Sequence, residues 1–318
     1  MNKLYVTITI DTENSQKAIT SGKWVKDTMI EYCQGTNWGI RYILKMLDYY
    51  NVVATWYLSI FEKYLFGEKL MASVCDLLMT HNQDIQLHTH PVWLMDPIEK
   101  KRVYMHQYSG DEQIYIINKG IEDVYCLTGE KPIAHRAGGY GVNKDTFIAI
   151  NQCGLKIDSS IFYKNKVCKI HTSGIINKIS DFMNVIEIPV SVCKRSEIYP
   201  FSKWNNTYKI EKVDINRMNG KDIINIFKDM LRHGGGYINL FMHSGSFYRF
   251  FERNGLNTIE DVLNRNDTAV RNFQEVLQYI NRTSGIEIVT VPTLYEKFVG
   301  GEVMNKEYIP RVSKMGVL

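Results

Sequence analysis

Nowhere does the chain run through roughly 18 apolar residues in succession, so no membrane-spanning helix is expected. It has no concentrated block of Lys or Arg, and its net charge is only +4, which gives little support to nucleic-acid binding. That small basic excess is compatible with an anionic substrate. Its six cysteines, at 33, 75, 126, 153, 168 and 193, include no CxxC pair. They read as scattered thiols of a reduced compartment, not as a disulfide framework. The first residues lack the charged and apolar regions of an export signal, and a strand-like run begins by Leu4. A cytoplasmic protein is therefore expected, acting on material made or held inside the cell. No internal repeat, low-complexity segment or Gly/Ser/Pro linker divides the 318 residues. One domain is expected over 1–300, followed by a tail over 301–318.

The apolar fraction of 45% and the charged fraction of 23% are ordinary for a soluble globular protein. Aromatic residues reach 12%, with 20 Tyr, which suits a carbohydrate-handling surface or equally a well-packed core. Apolar, β-branched runs predict strands over 4–10, 52–59, 84–88, 132–136, 155–160, 185–192, 237–243 and 286–291. Most are nearly continuous, as expected of strands covered on both faces. Helices are predicted over about 37–50, 67–81, 112–128, 143–153, 220–233, 258–282 and 292–299. This alternation implies an α/β fold with a mostly parallel sheet and right-handed crossovers, open or closed into a barrel. Two long loops, 91–111 and 193–219, are candidate lids or binding loops. The second carries Tyr199, Phe201, Trp204 and Tyr208.

Polar residues gather at the strand ends. Asp11, Thr12 and Glu13 end the first strand, and His88, Thr89 and His90 end the third. His135 and Arg136 precede AGGYG, Asp158-Ser159-Ser160 end the fifth, Glu187 lies inside EIPVS, and His243 and Ser244 end the seventh. In a parallel barrel the carboxyl ends of the strands share one face, where active sites sit. Residues two apart on a strand point the same way, so His88 and His90 aim into one space. They are either a hydrogen-bonded pair at a strand end or two of the three protein ligands of an open zinc site, and Asp11 and Glu13 are either caps or a salt-bridge pair or the source of the third ligand. Such a set also suits Fe, Co or Ni. Arg136 at a strand end calls for a nearby carboxylate, which it would hold ionised. AGGYG allows close backbone approach and free N–H groups, the makings of an oxyanion hole or of a plain tight turn. His243 closes a very apolar strand. It is either a core residue or, with Asp158 near it, a general acid. His81, His106, His135, His171 and His233 read as structural or surface residues.

In order, TIDTE, HTHP, HRAGGYG, LKIDSS and LFMHS resemble the motifs of the polysaccharide deacetylases (carbohydrate esterase family 4), over residues 7 to 244. The resemblance implies a distorted (β/α) barrel of 7–8 mostly parallel strands and metal-dependent removal of an acyl group from a sugar. It implies Asp11 as catalytic base, with Glu13, His88 and His90 as metal ligands. It also implies Arg136 as the orienter of the base and Tyr140 as the source of an oxyanion N–H. Asp158 matches an aspartate that tunes the acid, and His243, in the LxxH pattern from Leu240, matches the general acid. The chain departs from the family in its Asp-x-Glu, in a histidine pair two apart instead of four, and in the place of Tyr140. These changes resemble a divergent branch associated with surface-polysaccharide biosynthesis, as does Glu187 in EIPVS. Three rivals stand beside this reading: a Mg-dependent phosphatase with an acid-x-acid motif, a glycosyltransferase with Asp-x-Glu, and a non-catalytic carbohydrate-binding relative.

Overall fold

Among the residues described by the computed structural model (2–13, 38–197, 207–249 and 264–312), the apolar runs form twelve strands. These are β1 (Lys3–Thr12), β2 (Thr55–Ser59), β3 (Asp84–Thr89), β4 (Ala134–Ala137), β5 (Ile157–Asp158) and β6 (Ser180–Phe182). Then come β7 (Val185–Glu187), β8 (Val192–Glu197), β9 (Thr207–Lys212), β10 (Gly235–His243), β11 (Ile286–Ile288) and β12 (Arg311–Val312). The main sheet runs β10-β1-β2-β3-β4-β5-β7-β6, and β11 adds to β1 along Leu4–Val6. Every pairing in it is parallel except β6 with β7. Irregular backbone fills the space between β10 and the β7 end. Ser191 N–H donates to the Asn239 carbonyl (3.2 Å) and Phe241 N–H to the Val213 carbonyl (3.0 Å). The result is the expected distorted (β/α) barrel.

The helices cover the outer face through apolar stripes. In the helix Ile40–Tyr49, the buried residues are Ile40, Ile43, Leu44 and Leu47, one face at helical spacing. They join Leu4, Val6, Ile8 and Ile10 of β1 in the main core. A smaller cluster holds Tyr5, Tyr57, Ala134, Ile157, Ile188 and Tyr237, with Val291 and Leu294 of the helix Val291–Val299. Tyr5, Ala134, Ile157 and Tyr237 lie toward the amino ends of their strands, so packed side chains fill the barrel there. The carboxyl ends are left to the polar residues.

Local chemistry sets several boundaries. The run 185–192 does not continue as one strand: β7 stops at Glu187 and β8 starts at Val192. Pro189 lies between them and has no N–H to give a ladder. The run 155–160 pairs only at Ile157 and Asp158. The segment read as a loop over 193–219 instead carries β8 and β9, antiparallel, in a small sheet ordered β12-β8-β9. Arg311 and Val312 make β12, so part of the tail is a strand. The helix predicted from 258 starts at Asp267, where the Asn266 side chain accepts from Ala269 N–H. Residues 258–263 lie outside the described residues, as do Tyr199, Phe201 and Trp204.

Candidate metal centre and active site

Period-two alternation on β1 and β3 builds the centre. His88 and His90 lie on one face with their rings edge to face, 4.8 Å between centroids, at 1% and 5% exposure. β1 and β3 flank β2, which brings Glu13 over both rings. One Glu13 oxygen, Oε2, meets His88 Nε2 at 3.1 Å and also contacts His90 Nε2. The three donor atoms lie within 4.8 Å of one another. The other His88 nitrogen, Nδ1, is 2.9 Å from the Arg136 carbonyl and donates to it, which leaves Nε2 as the lone-pair nitrogen. Burial pulls the Glu13 carboxyl up, but His90, His243 and His88 outweigh it and hold it well below the ordinary carboxylate range. Two imidazole nitrogens and a carboxylate oxygen, converging with the tautomer fixed from behind, fit a transition-metal ion.

Asp11 keeps different company. Its Oδ1 accepts from Arg136 at 2.6 Å, and its Oδ2 lies 3.9 Å from His88 Nε2. Burial raises the Asp11 carboxyl, yet Arg136 and His88 more than offset this and lower it overall. Arg136 is fully buried and well supplied. It also donates to the Ser159 carbonyl (3.0 Å), the Ser159 hydroxyl (3.0 Å) and the Thr9 hydroxyl (3.1 Å), and it sits over the Tyr57 ring. A buried guanidinium is tolerable only with such partners. His243 approaches from β10, its Nε2 3.4 Å from Glu13 Oε1, and is 24% exposed. Ser244 N–H donates to the Asp11 carbonyl, which ties the two strand tips together.

The AGGYG turn lies against this centre. A β-carbon at Gly138 would fall 2.4 Å from His90 ring atoms, and one at Gly141 would fall 2.5 Å from Tyr104 Cβ. Glycine there lets the turn press directly onto a proposed metal ligand. Tyr104 belongs to the loop 91–111, which therefore borders the site. Tyr140 has a left-handed backbone, φ 60°, and its ring packs against Phe162.

The structure brings Asp11, Glu13, His88, His90, Arg136 and His243 together. Asp158 is placed elsewhere. The sequence reading put it near His243, but it bonds His135 Nδ1 (2.7 Å), the Ser160 N–H (2.9 Å) and the Ser160 hydroxyl (2.9 Å). Strand parity is the reason. His135 and Asp158 are register partners, on the opposite face from Arg136 and Ser159. The remaining His135 nitrogen meets the Thr89 hydroxyl at 2.8 Å. Glu187 is buried beside Asp158, and burial with that neighbour pushes its carboxyl well up. Sequence reasoning missed Lys212, whose Nζ donates to the Tyr140 hydroxyl at 3.0 Å. Its signal was the alternation of TYKIEK, which marks a strand inside an assigned loop.

No family model matches the chain, and no curated protein does. Solved structures do match. A Mycobacterium smegmatis protein assigned as a polysaccharide deacetylase superposes with a TM-score of 0.57 at 12% identity, over 96% of this chain and 93% of the other. The chain has the polysaccharide deacetylase fold. Puue allantoinase superposes with a TM-score of 0.54 at 10% identity, over 96% of this chain and 92% of that one. The family 4 carbohydrate esterase from Streptomyces lividans, with acetate bound, gives 0.44 at 13% identity, over 90% and 92%. At these identities the likeness is one of fold.

Proposed function

We propose that the chain is a metal-dependent hydrolase that removes an N-acyl group, in the simplest case acetyl, from an amino sugar. The observation that carries this is the convergence of Glu13, His88 and His90 beside an aspartate held by a buried arginine, with His243 3.4 Å from Glu13. Glu13, His88 and His90 would hold the ion, most simply Zn2+. Once bound, it would lower the pKa of water and polarise the acyl carbonyl.

The chain's own residues supply the proton transfers. Arg136 occupies Asp11 Oδ1, so Oδ2 is the oxygen that faces the centre and takes the proton of the attacking water. The turn at Gly138–Gly141 would offer N–H groups, that of Tyr140 among them, to the acyl oxygen. His243 would give a proton to the leaving amine. Asp158 has no direct part in this scheme; its bonds to His135 brace β4 and β5.

The donor set disfavours the phosphatase alternative, since Mg2+ is bound through oxygen and water, not through a histidine pair. The presence of both a base and an acid favours an enzyme over a binding-only relative. The proposed substrate is a nucleotide- or lipid-linked sugar, handled in the cytoplasm during surface-polysaccharide or glycoconjugate biosynthesis. No helix among the described residues is long and apolar enough to cross a membrane. The test is acetate release from UDP-N-acetylglucosamine and from N-acetylglucosamine oligomers with added Zn2+. Release by the wild type and none by Asp11→Asn supports the reading. Absence of release from a panel of N-acyl sugars, with metal bound, would defeat it.

A further inference from the structure

The small second sheet delivers one lysine to the barrel mouth. Lys212 ends β9, and its side chain is 9% exposed. Its Nζ donates to the Tyr140 hydroxyl (3.0 Å), lies 3.5 Å from Asp214 Oδ2, and sits 3.1 Å from the centre of the Phe241 ring. That ring in turn packs edge to face with His243, 4.8 Å between centroids. Tyr140 packs against Phe162 at 4.9 Å and Phe241 at 6.2 Å. Its φ of 60° follows Gly139 at 58°, so two successive residues are left-handed. A residue with a β-carbon adopts that conformation at a cost, and it persists only where its surroundings hold it.

We propose that Lys212 is a positioning residue of the active site. Bonded to the Tyr140 hydroxyl and seated on Phe241, it holds Tyr140 in its left-handed conformation and so fixes the turn that would face the acyl oxygen. The proposal rests on the hydrolase reading above. The placement of this lysine is itself unfavourable. Burial pushes its ammonium down to about 8, against the pull of Asp214 and Asp11. An apolar side chain of similar volume would remove that penalty but leave Asp214, itself buried, without its nearest cation. A buried cation that costs stability next to a reaction centre is the pattern of a group retained for function.

Two variants test this. Lys212→Met keeps the length and removes charge and donors, and Tyr140→Phe keeps the ring and removes the acceptor. Each is assayed with para-nitrophenyl acetate as the acyl probe in the presence of Zn2+, alongside thermal unfolding. Each is expected to lower kcat on the order of tenfold or more while KM stays within about twofold. The double variant is expected to be no slower than the slower single one, because the two groups act as one unit. Lys212→Met combined with Asp214→Asn, which leaves no buried carboxylate unpaired, should keep its Tm. A Lys212→Met protein with wild-type kcat overturns the proposal. So does a parallel fall of kcat and Tm in Lys212→Met with Asp214→Asn, which marks a packing role. Should Lys212→Met not fold, Tyr140→Phe decides by the same kcat comparison. A wild type that hydrolyses neither the probe nor an N-acyl sugar overturns the hydrolase reading, and this proposal with it.

Discussion

Asp11 lies in β1 and Glu13 just past its end, yet their neighbours divide the work between them. Glu13 lies among three imidazoles, whereas Asp11 is held by a guanidinium. Asp11→Asn is therefore expected to cut turnover by at least about 100-fold, the scale of a lost general base, while metal binding persists. Steady-state kinetics with metal analysis on the same sample checks both halves. Loss of metal in that variant would contradict the division. Glu187 gives a prediction independent of the chemistry. Its carboxyl is pushed well above the ordinary 4.5 by burial and by Asp158. The folded chain then keeps a proton that the unfolded chain releases. That contribution to stability is fully present below about pH 4.5 and is lost as pH rises through the folded-state value. Glu187→Gln copies the protonated form and should flatten this fall. Urea unfolding at a series of pH values from about 4.5 upward measures it, and a variant profile parallel to wild type would contradict it.

At the scale of elements, the turn after β4 is the critical piece. Gly138 admits the His90 ring at a distance no β-carbon could share. Gly138→Ala is expected to displace His90, weaken metal binding by roughly 10–100-fold and destabilise the fold by about 1–3 kcal/mol. Metal titration and urea melts check the two effects separately. The strands that carry the site were legible because β-branched runs ended in ionisable residues, as at Asp11, His88 and His243. Alternation set His88 and His90 on one face, and only the other strand-end residues pointed to a metal. Asp158 was misplaced because motif order was followed where strand parity was needed: Arg136 and Ser159 face inward, so His135 and Asp158 cannot. KRSE and TYKIEK in β8 and β9 are rich in charge, and the pattern of a strand with one wet face resembles that of a loop. Lys212 went unseen with them.

At the scale of the whole molecule, helices and apolar side chains cover the sheet's outer face and fill the amino ends of the barrel, and the carboxyl ends gather the chemistry. The fold class followed from the regular alternation of strand and helix. The distortion did not, because the gap beside β10 is filled by irregular hydrogen bonds around Ser191, Asn239 and Val213 that no periodicity announces. The fold matches a polysaccharide deacetylase and an allantoinase at low identity, so the chemistry must be argued from the site itself. That chemistry requires Glu13, His88 and His90 to hold a metal ion. Elemental analysis of the purified wild type and of His88→Ala with His90→Ala tests this most directly. About one equivalent of a divalent transition metal in the wild type, absent from the folded double variant, is the predicted result. A folded wild type that takes up no metal from a Zn2+ solution, or a double variant that keeps the same content, would contradict it.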